Sequence, residues 1–446
     1  MSVLNANLPG KSSGKDGLFP AGHMLPFSLV TSLFFMWGVP NNLNDVLIRQ
    51  FMKSFALTRF EAGLVQSAFY MGYFLLAIPA ALLMRRFGYK TGILVGLALY
   101  SAGTFLFWPA AIEGKYLYFL GALFVIASGL SFLETASNPF IAQLGQQHSS
   151  ERRLNFSQAF NPLGSITGVL IGTVFIFSGV EHTPAQVGLL QAQHLYEAYL
   201  RSETLRVVKP YLALGAVAFL LGLLILFTRF PPIQNEHEAD LDDHGRFRDL
   251  LRYPHFLFAV LAQFMYVGAQ VGTWSYFIQY VEEATHQNEK VAGFFLTGTL
   301  VAFAVGRFTC AYLMHFFAPH RMLGAFASVN VLLVAIGVLW PGWIGLWAVF
   351  LTSFFMSLMF PTIFALGIKG LGSNTKIGGS LLIMSIVGGA VLTPAMGLLS
   401  EVGHGVALAY LVPLAAYVCV AAYAFMGAAQ RLASAAALPI ADEGFQ

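Results

Sequence analysis

Charge is scarce in this sequence. Asp, Glu, Lys and Arg make up 10% of it, against about 25% in a soluble domain. So few ionic groups cannot clothe 446 residues in hydrated side chains, which excludes a soluble globular protein of this size. Cysteine is scarcer still: Cys310 and Cys419 both lie in apolar stretches and read as small hydrophobes, not as a disulfide or a metal site. There is no GxxxxGK[ST] loop and no His or Cys cluster at metal-ligand spacing. ATP-driven transport, a metal centre and an organic cofactor are therefore not expected. The formal net charge of +3 is scattered along the chain and gives no basis for binding nucleic acid. A cleaved leader is not expected either, because the apolar run from Leu25 is too long for an h-region.

Apolar residues are plentiful. They make up 57% of the chain, and the mean hydropathy is +0.69. Twelve apolar segments stand out, each near the roughly 20 residues that cross a bilayer. Six lie at 25–48, 61–84, 91–111, 116–144, 155–180 and 210–228. Six more lie at 256–281, 291–314, 321–340, 343–368, 377–400 and 405–428. A backbone facing lipid must satisfy its own hydrogen bonds, so uninterrupted segments of this length are helices. The expected fold is an all-α membrane protein of twelve transmembrane helices in two six-helix bundles.

Domain limits follow from the charge pattern. Residues 1–24 and 431–446 read as tails, and 25–228 and 255–430 as the bundles. The segment 229–254, charged and broken by Pro231 and Pro232, reads as the linker between them. Most of the 24 lysines and arginines fall on one set of loops, including Lys11, Lys15, Arg86, Lys90, Arg152 and Arg321. The opposite set has fewer, among them Arg49, Lys53, Arg59 and Lys290. By the positive-inside rule the N- and C-termini are cytoplasmic.

The halves carry traces of duplication. Phe35-Met36 recurs as Phe264-Met265, at an offset of 229. Pro139 has a counterpart in Pro361, and Gly164 in Gly388. This 6+6 parallel repeat resembles the major facilitator superfamily. The stretch from Met84 to Lys90 is similar to that superfamily's signature loop, with Arg86, Gly88 and Lys90 fitting and Arg85 standing where the pattern has Asp.

Charges inside apolar spans are costly and mark functional groups. Two acids qualify: Asp45, late in the first span, and Glu134, near the middle of the fourth. Asp45 follows Trp37, Pro40 and a run of asparagines in which Asn42 shares its face; Pro40 is expected to kink the helix. Such a face suits a ligand rich in hydroxyls. Glu134 is followed by Asn138 and Pro139. Removing water from a carboxyl favours its neutral form, which fits both acids to proton coupling. Gln158 and Asn161 add a polar face on the fifth span, opposite Gln263, Tyr266, Gln270 and Trp274 on the seventh. Glutamines interleaved with aromatic rings read as a sugar-binding wall. Arg307 reads as a gate or a structural pair.

The stretches FFMWGVPNNLND, QSAFYMGYF, FLETASNPF, LAQFMYVGAQ and GGAVLTPAMG resemble the L-fucose–proton symporter group of that superfamily, over nearly the whole chain. The resemblance implies a proton-coupled sugar importer of the bacterial inner membrane, working as a monomer with the proton as co-transported ion. It implies that Glu134 couples proton binding to sugar binding and that Asp45 takes part in proton translocation. Phe360 stands where a fucose symporter of that group has a tyrosine. L-fucose is the expected sugar; the alternatives are another hexose such as galactose or glucose, and a transporter-like sugar sensor.

Overall fold

The computed structural model describes residues 23–144, 150–180, 182–231, 247–314, 316–369, 371 and 374–436. Within them lie twelve helices long and apolar enough to cross a membrane. The first six are α1 (Met24–Phe55), α2 (Arg59–Met84), α3 (Arg86–Glu113), α4 (Tyr116–Ile141), α5 (Phe156–Ile176) and α6 (Tyr196–Phe227). The second six are α7 (Pro254–Ser275), α8 (Glu289–Cys310), α9 (Pro319–Leu339), α10 (Trp343–Ile368), α11 (Leu381–Val402) and α12 (Val406–Phe425). Both expected tails fall largely, and the expected linker mostly, outside the described residues.

Local chemistry sets the helix ends. A reciprocal cap between Thr58 and Glu61 opens α2, and the Asn288 side chain caps α8. Near the start of α3 the helical path is broken by a kink at Gly88, whose φ of +82° is open only to glycine at low cost. Lys90, just beyond it, donates to the carbonyls of Leu226 and Thr228 at 3.0 and 2.9 Å, closing the end of α6.

Three boundaries differ from expectation. The first span runs on to Phe55 instead of stopping at 48, and it is unbroken through Pro40. The reason is that Arg49 and Lys53 meet glutamates, not water. The stretch expected as an outer loop, 181–209, contains helices Pro184–Ala192 and Tyr196–Leu205, the first started by a Thr183–Gln186 capping box. The seventh span stops at Ser275, and a separate helix, Phe277–Thr285, follows.

The duplication is visible in the packing. α1 lies against α5, and α7 against α11. A side chain at Gly164 would strike the carbonyl of Phe35, and one at Gly388 would strike the carbonyl of Phe264. The two repeat-related glycines therefore sit on the two repeat-related phenylalanines. Close backbone approach of this kind is the usual means of joining helices in lipid, where burying apolar surface gains nothing.

Between the halves α2 packs on α11 and α5 on α8. Among the described residues the hydrogen bonds that join the halves cluster at one end. There the Nε of Arg49 lies 2.6 Å from Glu282, and Arg59 pairs with Glu283. Lys53 bridges Glu203 at 3.3 Å and Glu289 at 3.1 Å. Glu289 also accepts from the Gly179 N–H, and the Phe60 N–H donates to Glu401 at 2.7 Å. Glu203 and Glu289 are 4% and 0% exposed. They are buried acids that the sequence did not single out, because their sites lay in an assumed loop and at a span's edge. The structure is thus closed at this end.

Two outcomes are expected. Gly164→Leu and Gly388→Leu each overpack a helix contact and cost about 1–3 kcal/mol, seen as a lower unfolding temperature in detergent; unchanged melting would mean the contact is loose. Lys53→Met leaves two buried glutamates without their shared cation and costs about 3–5 kcal/mol; Lys53→Arg, which keeps the charge, should melt much closer to the parent protein in the same assay.

Candidate functional site

A cavity of about 210 Å³ lies between the halves. That is below the roughly 300–1,000 Å³ of pockets for drug-sized ligands, so its occupant is about one ring in size. Helical spacing explains its lining. Asn41, Asn42 and Asp45 come from α1, and Gln66, Tyr70 and Tyr73 from one face of α2. Asn161 and Ser165 are one turn apart on α5, and Glu134 reaches in from α4. The other half supplies Tyr266, Gln270 and Trp274, at i, i+4 and i+8 on α7, and Phe303 and Arg307 on α8. Phe360 of α10 and Ile386 of α11 also line it.

Asp45 is 2% exposed. Its Oδ2 accepts from Asn42 Nδ2 at 3.1 Å, and its Oδ1 from Gln66 Nε2 and Ser275 Oγ, both at 2.9 Å. The expected neighbour Asn42 is therefore a direct partner. Glu134 differs: it is half-buried, and among the described residues its carboxyl has no side-chain partner. Asn138 donates to the Glu134 backbone carbonyl at 3.0 Å.

The aromatic wall presents faces, with its polar edges already occupied. Tyr266 gives its hydroxyl to the Met356 carbonyl at 2.9 Å, and Trp274 gives its indole N–H to Ser353 at 3.0 Å. The Trp274 and Phe303 rings stand edge to face with centroids 5.2 Å apart. The Arg307 guanidinium lies 5.4 Å from the Phe303 ring centre. Gln270 keeps its amide without a partner among the described residues, ready for a ligand's hydroxyls.

A second cavity of about 240 Å³ adjoins the first on the side away from the ion pairs. Tyr70, Tyr73, Glu134 and Ile386 line both, and Asn138, Thr135, Ser131 and Met384 line only the second. Glu134 thus stands at the junction.

Several expected site residues lie elsewhere. Asn138 belongs to the second cavity, and Gln158 is exposed, donating to Asn138 Oδ1 at 3.2 Å. Gln263 is fully buried and lines neither cavity, although it lies two turns before Gln270 on the same face of α7. Trp37 is packed on Phe34 with ring centres 4.3 Å apart and lines neither cavity. Asn161 lines the cavity while donating to the Phe34 carbonyl at 3.4 Å. The residues that sequence reasoning passed over are Gln66, Tyr70, Tyr73 and Phe303. The first three stand at i, i+4 and i+7, a periodicity that a helical reading of the second span would have exposed.

The Major Facilitator Superfamily model matches residues 27–394. The chain is 46% identical to the L-fucose-proton symporter of Escherichia coli over 404 residues, 90% of this chain and 92% of that one. It is 36% identical to a glucose/galactose transporter of Brucella abortus over 405 residues, 89% and 93% of the two chains. Among solved structures, FucP in the outward conformation superposes with a TM-score of 0.67 at 44% identity, covering 91% of this chain and 99% of that one. With its twelve spans in two bundles, this chain belongs to the major facilitator superfamily, beside the L-fucose–proton symporters to which it is similar along nine-tenths of its length.

Proposed function

We propose that this protein imports a sugar, foremost L-fucose, together with a proton across the bacterial inner membrane by alternating access. The observation that carries the reading is one cavity, between the halves, holding two carboxyls on one side and a Tyr–Gln–Trp wall on the other. A ring face suits the apolar side of a sugar, and the amides of Asn42, Asn161 and Gln270 suit its hydroxyls. The similarity to proteins named L-fucose-proton symporter supports the same assignment.

The positive-inside pattern supports cytoplasmic termini, which places the ion-paired end outside. The arrangement is then open inward. A TM-score of 0.67 to an outward-conformation structure, despite 44% identity, agrees with that. In the outward-open state both acids take up protons and the sugar enters. The loaded carrier rocks, the outer ion pairs close, and the sugar leaves through the second cavity past Glu134. Protonation removes the penalty of carrying bare charge through a dry intermediate. The proton is the only co-substrate required, and one chain builds the whole cavity, so a monomer suffices.

Phe360 favours a second reading. It lines the cavity as a bare ring, so a hydroxyl pattern other than that of L-fucose is also accommodated; the likeness to a glucose/galactose transporter supports this alternative.

Proteoliposomes separate these readings. With the purified protein, L-fucose should draw protons across the membrane, while galactose and glucose give weaker signals; a reversed order would select the second reading. Glu134→Gln should lose accumulation against a gradient, and a Glu134→Gln protein that still concentrates sugar would remove the coupling role.

A further inference from the structure

Among the described residues Asp45 takes hydrogen bonds from three neutral donors, and only one of them belongs to the other half of the molecule. Asn42 and Gln66 ride on α1 and α2, in the same bundle as Asp45. They stay beside it however the halves lean. Ser275 is the last residue of α7, and its Oγ lies 2.9 Å from Asp45 Oδ1. The two residues are 230 positions apart, within one residue of the 229 offset at which Phe35-Met36 recurs. They therefore face each other across the axis that relates the bundles. Such a contact forms when the ion-paired end closes and is lost when it opens.

The polarity of the contact is also defined. Gln66 Nε2 donates both to Asp45 Oδ1 and, at 3.0 Å, to Ser275 Oγ. The serine hydroxyl accepts from Gln66 on one lone pair and gives its own hydrogen to Asp45 Oδ1. Among the described residues every polar contact made to the Asp45 carboxyl group is then a donor, two on Oδ1 and one on Oδ2, which favours the anion.

We propose that Ser275 is the positioning residue that ties proton release from Asp45 to closure of the outer end; this rests on the proton-symport reading above. When the outer end is open, Asp45 lacks the serine donor and holds a proton. Closure brings the hydroxyl onto Oδ1. The carboxyl O–H bond breaks, its proton passes to water in the inward-open cavity, and its electron pair stays on the carboxylate. The other titratable and charged groups around Asp45 are Glu134 on α4, Tyr70 and Tyr73 on α2, Tyr266 on α7 and Arg307 on α8. Arg49, one turn onward on α1, is paired with Glu282. All are left intact in the test.

The test compares two rates in proteoliposomes with L-fucose as probe: net uptake driven by a pH difference, and equilibrium exchange with equal sugar on both sides. Exchange needs no proton release, so it also reports that a variant is folded. In Ser275→Ala the ratio of net uptake to exchange should fall about tenfold near internal pH 7 and recover when the internal pH is raised by about one to two units. Ser275→Thr, which keeps the hydroxyl, should restore most of the ratio. An unchanged ratio in Ser275→Ala overturns the proposal, as does a joint fall of both rates with no recovery at higher internal pH. Parent protein that moves L-fucose with no proton movement overturns the symport reading itself, so the two failures are distinguishable.

Discussion

A carboxylate removed from water needs something to replace its lost hydration, and this molecule answers that demand in three ways. Asp45 is ringed by neutral donors. The acids Glu203, Glu282 and Glu289 at the closed end are met by cations from α1. Glu134 has no side-chain partner among the described residues and opens onto two cavities instead. The differences matter more than the count of charges. Fixed ion pairs hold an end shut, a ring of donors surrounds one acid within the cavity, and the other acid stands where two cavities meet.

The surrounding scaffold is built to keep these settings apart. Glycine contacts bind α1 to α5 and α7 to α11 with backbone nearly touching backbone, so each bundle behaves as a stiff unit. Movement is then confined to the seam between bundles, where hydrogen bonds and ion pairs exchange more easily than interlocked helices slide.

Much of this was legible beforehand. Long apolar runs give twelve helices with little ambiguity, and the recurrence of Phe35-Met36 as Phe264-Met265 foretold two matching bundles. Asp45 and Glu134 stood out because isolated acids in such runs are costly to bury. What stayed hidden needed distances between helices. Gln263 shares the helical face of Gln270 and yet is fully buried outside both cavities. Glu203 and Glu289 looked like loop or edge charges until Lys53 was seen between them. The hydroxyl and indole of Tyr266 and Trp274 seemed available for ligands, yet both are used up within the second bundle. Composition names the groups; only packing says which are already engaged.

The cavity is chemically lopsided: its acids come from the first bundle, while its aromatic wall, Gln270 and Phe360 come from the second. The two repeats have thus diverged in chemistry, the carboxyls lying in one and the Tyr–Gln–Trp wall in the other, although both add polar groups to the cavity. Substitutions in the wall of one repeat leave the carboxyls of the other untouched, so the two sides of the cavity are free to diverge separately.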